Sequence, residues 1–311
     1  MGADQRRADR PLRAPGAAQH HGNDWHHWHM AQLTALRIYP VKSFAPVVLA
    51  DAVVEPWGLE HDRRWMVVDG RGEMVSQRQD PRLGGIRAAA TGPGAAGALL
   101  LTAPGGESLR VDRPSGEARP VTMFGDPMAA VEAAPEASAW LSDLLGTELR
   151  LVHQDVAAAR DHGTPTSLAD QYPLLLTTTA SLAALNRLIA ADHPDDPVKG
   201  APVPMWRFRP NLVVDGTGPW AETGWRRVRI GRVEFTVAQQ CGRCVMTTLD
   251  PDTGERRGPE PLLALGRHRK FGRTLGFGMH LSPVGPLGEL RLGDPLTVLE
   301  EGPPPVPETR I

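Results

Sequence analysis

The sequence predicts a mainly β protein with a few helices, in the α+β class. Three observations carry this prediction. Short apolar segments, several of which alternate apolar and polar residues, recur along most of the chain. Gly and Pro separate these segments at close intervals, which is typical of barrels and sandwiches and not of alternating β and α units. Helical spacing of apolar residues is confined to two stretches.

The first half of the chain is predicted to hold several short strands. The first is Leu33–Tyr39, whose side chains alternate as in a half-buried strand that runs into Pro40. Gly70-Arg71-Gly72 has the composition of a hairpin turn. Further strands are predicted at 53–55, 65–69, 73–77, 99–102 and 109–111, with Gly-, Pro- and Ala-rich loops at 91–97 and 112–119. Together these strands favour a barrel-like domain.

A helix and a polar connection mark a boundary in the middle of the chain. Apolar residues recur at helical spacing from Pro135, and Gly146 stops the run. A strand at Leu149–Val152 is then predicted to lead out of the first domain. The stretch 154–168 is polar enough for a surface connection, so we place the boundary near residue 153.

The second half is predicted to open with a strand, Leu174–Leu176, and a helix from about Ala180 to Ile189 that Thr179 or Ser181 caps. This apolar stretch is too short to span a bilayer. A loop at 190–203 precedes a strand that Arg209-Pro210-Asn211 enters, and a pair of strands follows at 225–230 and 233–237. Because the last of these leads to the cysteines, Cys244 is expected at or just after a strand end.

The two ends of the chain are predicted to be tails. Residues 1–30 are too poor in apolar residues to form a core and are expected to be disordered, and 301–311 form a Pro-rich tail. The first tail resembles a loose metal-binding tract through His20, His21, His26, His27 and His29, with an unstructured tail as the plain alternative. Translation from Met30 is a further alternative, which mass spectrometry would test.

Composition limits the classes of function. The 311 residues have room for one large or two ordinary domains, and a formal charge of −2 lacks the basic surface that nucleic-acid binding requires. Two cysteines three positions apart form no disulfide framework, which indicates a reducing compartment. We therefore expect a cytoplasmic protein with neither nucleic acid nor membrane as partner.

The segment Cys241-Gly242-Arg243-Cys244 holds the only two cysteines. A thioredoxin-like redox pair would open a helix, whereas Val245–Leu249 is β-branched and looks extended. A structural zinc site needs four ligands, and recruiting His268 and His280 fits no common spacing. Two buried, inert cysteines remain an open alternative. A thiolate beside an arginine is also a suitable ligand for a transition metal, which points to Cys244.

The residues around the cysteines resemble a known family. Cys-Gly-Arg-Cys is followed by Thr-Thr-Leu-Asp-Pro-Asp-Thr-Gly, with Arg207–Asn211 before it and Gly293–Leu296 after it. This arrangement resembles the MOSC domain, the molybdenum cofactor sulfurase C-terminal domain. Three earlier motifs resemble the N-terminal β-barrel domain that accompanies it in the amidoxime-reducing-component type: Tyr39–Ser43, Gly58-Leu59 with Asp62–Trp65, and Arg78–Leu83. The resemblance covers about residues 32 to 300.

The resemblance implies an N-terminal MOSC β-barrel domain at 31–153, a MOSC β-barrel domain at 154–300 and a bound molybdenum cofactor (Mo-molybdopterin). It makes Cys244 the metal ligand and catalytic residue, with Cys241 as a supporting residue. Arginine, lysine and small hydroxyls suit the phosphate and pterin edge of such a cofactor. The cofactor-binding residues that it implies are Lys42, Ser43, Arg63, Gln171, Tyr172, Arg209, Asn211, Gly242 and Arg243.

The function implied is reduction of N-hydroxylated or N-oxygenated small molecules by a molybdenum-dependent oxidoreductase. No cysteines are left for an iron–sulfur cluster, so electrons are expected from a separate protein, a ferredoxin, flavoprotein or cytochrome. Pyridoxal phosphate binding is a further property that the family resemblance suggests. The alternatives are a cofactor-binding or sulfur-carrier module without turnover and an inert β-barrel protein. Residues 250–254 are predicted to form a turn without a catalytic role.

Overall fold

The computed structural model describes residues 30–91, 97–154, 158–159, 164–251 and 253–308. Strands dominate, at 41% of residues against 19% in helices, which confirms the predicted fold class. The first-half strands are β1 Gln32–Ile38, β2 Val47–Leu49, β3 Asp51–Glu55, β4 Gly58–Leu59, β5 Trp65–Asp69, β6 Arg87–Thr91, β7 Ala98–Thr102, β8 Ser108–Val111, β9 Arg119–Met123, β10 Asp126–Glu132 and β11 Leu149–His153.

The second-half strands are β12 Ala158–Ala159, β13 Pro165–Thr166, β14 Leu174–Thr178, β15 Leu212–Asp215, β16 Trp225–Ile230, β17 Val233–Gly242, β18 Lys270–Phe271, β19 Thr274–Val284, β20 Glu289–Arg291 and β21 Leu296–Glu301. The α-helices of the described residues are α1 Pro135–Leu145, α2 Thr179–Asp192 and α3 Leu262–His268. None of the helices in these ranges is long and apolar enough to cross a bilayer.

The largest sheet joins the two halves of the chain. Its order is β2-β1-β15-β14-β19-β17-β16-β21, and β18 pairs with β19. The first strand, β1, runs antiparallel to β15, with Leu36 opposite Leu212. Similarly, β3 pairs with β20 near the end of the chain. Side chains from β1, β3 and β4 thus share one apolar core with those of β14–β17 and β19, so the start of the chain is packed into the second half.

The remaining first-half strands form a separate core. A four-stranded sheet, β5-β11-β10-β9, and a three-stranded sheet, β6-β7-β8, pack with α1 around buried residues that include Val67, Leu101, Leu141 and Leu151. The helix α1 starts with Pro135 and ends at Gly146, whose φ of 68° is the left-handed conformation that favours glycine. This element confirms the predicted helix and its stop.

Several local predictions were wrong. The cap of α2 is Thr178, the last residue of β14, whose Oγ1 accepts from the Ser181 N–H, because the helix begins earlier than predicted. Residues 73–77 contribute only isolated bridges at Glu73 and Met74. The segment Val245–Thr248 is a 3-10 helix, since its hydroxyls bond to backbone carbonyls of the preceding turn.

The helix α3 and several strands were not predicted, namely β2, β4, β6, β9, β10, β12, β13 and β18–β21. Among these, β6, β9 and β10 contain Ala and Pro residues of low strand propensity, and pairing with neighbours decides their conformation. The connection after residue 153 is also less exposed than predicted: Gln154, Thr166 and Leu168 are buried. Residues 155–157 and 160–163 of this connection, residues 92–96 of the 91–97 loop, and residues 1–29 with their histidines lie outside the described residues.

Candidate functional site

A single cavity of about 850 Å³ lies between the two halves of the chain. All ten residues that the sequence analysis selected line it, together with Arg78, Phe124, Cys241 and His280. This size lies within the range of small-molecule and cofactor sites. The topology explains why these residues meet, because β1, which leads into the turn at residues 42–43, belongs to the same large sheet as β19, which carries His280, and β17, which leads to Cys244, with β15 and β14 between them.

Tyr39 organises the wall contributed by the first half. Its hydroxyl donates to the carbonyl of Pro210 at 3.2 Å, and its ring lies against two guanidinium groups, those of Arg63 at 4.6 Å and Arg209 at 4.1 Å. Burial raises the pKa of the Tyr39 hydroxyl, although both arginines oppose the shift. Burial also lowers the pKa of Arg209 to about 10. Arg63 is also bonded to Asp62 and Asn211, whereas the side chain of Arg209 rests on the Tyr39 ring, which leaves N–H donors of Arg209 for a ligand.

Lys42 and Ser43 lie in the turn that follows β1. Ser43 has a φ of 71°, a conformation that is uncommon for a residue other than glycine. The Lys42 ammonium donates to the Leu168 carbonyl at 2.9 Å and forms an ion pair with Asp170. Crowding by protein atoms raises the pKa of the Asp170 carboxyl, but Lys42 and nearby arginines outweigh it and hold that pKa below its usual range.

Asn211 has a positioning role in the structure. Its side-chain oxygen accepts from the Leu175 N–H and from Arg63, each at 3.2 Å, and its amide donates to the Arg37 carbonyl at 3.1 Å. The side chain is buried, and these bonds occupy most of its capacity. Asn211 therefore joins β14, β1 and Arg63, and its polar atoms are largely committed to the protein.

The two cysteines have different surroundings. Cys244 follows the end of β17 by two residues and precedes the 3-10 helix Val245–Thr248, which confirms its predicted place after a strand end. Its sulfur lies 3.4 Å from Nη2 of Arg78, a residue from the first half. Cys241 is buried, and its sulfur lies 2.8 Å from Nη1 of Arg243.

The pKa of the Cys241 thiol is lowered by its surroundings. Burial alone would raise that pKa, but the positive charge of Arg243, assisted by His280, lowers it to about 7. Arg243 is fixed in turn by a bond from Nη2 to the Phe208 carbonyl at 2.6 Å. Arg243, which lies between the two cysteines in the sequence, thus lowers the pKa of Cys241. Arg78 is the arginine that contacts Cys244.

His280 lies on the β19 wall of the cavity. Its ring stacks on Tyr172 at 5.1 Å, and among the described residues neither ring nitrogen has a hydrogen-bond partner of normal geometry. The side chain is only 7% exposed, so these nitrogens require a ligand or water for their hydrogen bonds. Beside this pair, Gln171 and Gln239 approach each other at 3.5 Å.

The zinc alternative is not supported by the arrangement of its residues. His268 bonds to Asp192 at 3.0 Å, while His280 lines the cavity. In the described part of the chain no three His, Cys, Asp or Glu residues form a group that could hold a metal ion.

Sequence reasoning missed three cavity residues. Arg78 belongs to a quoted motif, but nothing in the motif indicated that its side chain reaches Cys244 across 166 positions. His280 was considered only for zinc. Phe124 lies in the turn between β9 and β10, two strands that were not predicted. The turn at 250–254 behaves as predicted: the Thr253 and Gly254 N–H groups bond to Asp250.

Comparison with known proteins gives consistent results. The model for the MOSC N-terminal beta barrel domain matches residues 30–148, and the model for the MOSC domain matches residues 163–297. Mitochondrial amidoxime-reducing component 1 of Xenopus laevis is 30% identical over 85% of this chain and 81% of its own length. Mitochondrial amidoxime reducing component 2 of Homo sapiens is 31% identical over 84% of this chain and 81% of its own.

A third relative is the molybdenum cofactor sulfurase of Danio rerio, 35% identical over 80% of this chain. The match covers only 32% of that protein, so this chain spans about a third of its length. Both family models and the amidoxime-reducing components, in contrast, extend over nearly all of the described residues. The chain belongs to the MOSC family, with an N-terminal MOSC β-barrel domain followed by a MOSC domain.

Proposed function

We propose that this protein is a molybdenum-cofactor-dependent oxidoreductase that reduces N-hydroxylated or N-oxygenated compounds with electrons from a separate protein. One observation carries the proposal: a cysteine at a strand end, Cys244, lies in a large cavity rich in arginine, in a chain about 30% identical to amidoxime-reducing components. The reaction takes R–NH–OH, two electrons and two protons to R–NH₂ and water.

The residues of the cavity fit an anionic cofactor that brings its own metal. Arg207, Arg209 and Arg243 line it, and none of these three forms an ion pair with a carboxylate of the described residues. Guanidinium groups of this kind bind phosphate with two parallel hydrogen bonds. The single accessible thiol suits a metal that already has most of its ligands.

We assign the residues as follows. Lys42, Ser43, Arg63 and Arg209 hold the cofactor from the first half and the start of β15, while Asn211 positions Arg63. Gly242, Arg243, Gln171 and Tyr172 form the opposite wall, and Cys244 is the metal ligand. When bound, the cofactor supplies a two-electron redox centre for cleavage of the N–O bond. The Cys244 thiolate tunes that centre.

The reaction consumes protons, and the chain offers one imidazole for them in the cavity. His280 is buried in the part of the cavity wall that β19 contributes, and its ring nitrogens have no hydrogen-bond partner of normal geometry among the described residues, although the ring acts on the nearby Cys241. An imidazole exchanges protons readily near neutral pH. We propose that a ring nitrogen of His280 holds a proton that is given to the oxygen as it leaves the substrate.

Elemental analysis of protein from a molybdenum-replete host, combined with reduction of benzamidoxime by a chemical electron donor, tests the proposal. The expected result is stoichiometric molybdenum and turnover, both lost in Cys244→Ala and the metal retained in Cys241→Ser. A Cys244→Ala variant that kept metal and activity would refute the ligand assignment. The electron-donor protein, a cytoplasmic location and pyridoxal phosphate binding stay predictions that this experiment leaves aside.

A second function is a cofactor-binding or sulfur-carrier module without turnover. It is favoured by the 35% identity to the molybdenum cofactor sulfurase. In this case the Cys244 thiol would carry sulfur and would not hold molybdenum permanently. Purified protein would then lack molybdenum and fail to reduce benzamidoxime, and mass spectrometry would find a persulfide on Cys244 that Cys244→Ser lacks.

A further inference from the structure

Arg78 is a cavity residue whose charge has no role in the arrangement described so far. Its Nη2 lies 3.4 Å from the Cys244 sulfur, and its guanidinium lies over the ring of Phe124 at 5.1 Å. No carboxylate in the described ranges forms an ion pair with it, although the charge of Arg78 acts on Asp170. The residue is exposed, so its remaining N–H groups are accessible from the cavity.

Phe124 restricts where that guanidinium can lie. It is the first residue of the Phe124-Gly125 turn that joins β9 to β10, with a φ of 58° and 44% of its surface exposed. Its ring also lies 5.2 Å from the Lys42 ammonium, so two cations of the cavity meet one aromatic side chain. A large apolar residue with a positive φ and high exposure destabilises the fold. We therefore explain the presence of Phe124 by the contacts of its ring with the two cations.

The charge around Cys244 is strongly positive. Asp170 and Asp126 are the carboxylates that line the described cavity, and Asp170 is bonded to Lys42. Arg209 and Arg243 lie deeper, the first on Tyr39 and the second on Cys241. Arg78 is therefore the guanidinium nearest to the proposed metal ligand that is left for a substrate. Positive potential inside a cleft attracts anions and repels cations.

We propose that Arg78, held by Phe124, selects N-oxygenated substrates that also carry a carboxylate. This inference rests on the proposed function and names the substrate class of the same site. The guanidinium would bind the carboxylate with two charge-assisted hydrogen bonds and so orient the N–O group toward Cys244. No covalent step involves Arg78, and the reaction remains R–C(=NOH)NH₂ plus two electrons and two protons giving R–C(=NH)NH₂ and water.

The test compares benzamidoxime with para-carboxybenzamidoxime, which differ by the one carboxylate. Binding is measured by calorimetry on the protein as purified, and kcat/KM with a chemical electron donor. The unmodified protein is expected to prefer the carboxylate compound about tenfold, the change that about 1.4 kcal/mol produces. Arg78→Met should abolish the preference by weakening the carboxylate compound about tenfold more than benzamidoxime, Arg78→Lys should keep part of the preference, and Phe124→Leu should reduce it.

Arg71→Met is the matched control, because Arg71 is an exposed arginine of the same half that does not line the cavity. It should leave both compounds unaffected. Equal binding of the two compounds by the unmodified protein, or an unchanged preference in Arg78→Met, would overturn the inference. A protein that shows the preference and its loss in Arg78→Met but reduces neither compound would support anion selection and refute the proposed reductase.

Discussion

The pKa of Cys241 depends on one arginine, and replacing that arginine should shift it upward. Arg243 Nη1 lies 2.8 Å from the Cys241 sulfur and contributes most to bringing the pKa to about 7 against the burial that raises it. Against the ordinary value of 9.0, this difference corresponds to roughly 3 kcal/mol in favour of the thiolate. In Arg243→Met the burial remains and only the contribution of His280 opposes it, so the pKa should rise toward the ordinary value of 9.0.

The consequence is measurable near neutral pH. At about pH 7.5, a pKa of about 7 leaves roughly three-quarters of Cys241 as thiolate, whereas a pKa of about 9 leaves roughly one-thirtieth. We would follow thiolate absorbance against pH in a Cys244→Ser background, where Cys241 is the remaining cysteine. Arg243→Lys keeps the charge and should give an intermediate midpoint, and Arg71→Met should have no effect. An unmoved or lowered midpoint in Arg243→Met would refute the assignment of the shift to this contact.

Three further variants test the scaffold by thermal denaturation. Asn211→Leu should cost about 3 kcal/mol, because it leaves the buried Leu175 N–H without an acceptor, and a melting temperature within a degree or so of the original would contradict this. Gly278→Ala should cost about 2 kcal/mol or more, since φ is 79° and a Cβ would lie 2.8 Å from the Leu176 carbonyl oxygen. Burial raises the pKa of Glu222 in the folded protein above the ordinary value of 4.5. The protonated side chain therefore stabilises the fold fully below about pH 4.5, and this stabilisation is lost as the pH rises through the pKa of the folded state. Glu222→Gln lacks this dependence, and its stability relative to the original protein should increase between pH 5 and 8; a constant difference would count against the buried carboxyl as the cause.

Much of the fold could be predicted from local patterns. Period-2 alternation located β1, Gly146 located the end of α1, and the strand pair β16 and β17 followed from apolar residues around Gly231. These features depend on neighbours in sequence, so the sequence encodes them directly. The strands β6, β9 and β10 were missed because their residues have low strand propensity and are held by pairing with distant segments.

The candidate site, like the fold, could be predicted from the sequence only in part. By itself the sequence determined which residue types are available for cofactor chemistry and, through the order of its motifs, selected ten residues that all line one cavity. Only the tertiary structure decided how they are used. In the fold, Asn211 hydrogen-bonds to other protein groups and Arg243 contacts the Cys241 sulfur. Arg78, from the first half of the chain, contacts the Cys244 sulfur. The physical reason is that charge and hydrogen bonding act over a few ångströms, and which groups come within that range depends on pairings such as β1 with β15 that no local pattern encodes.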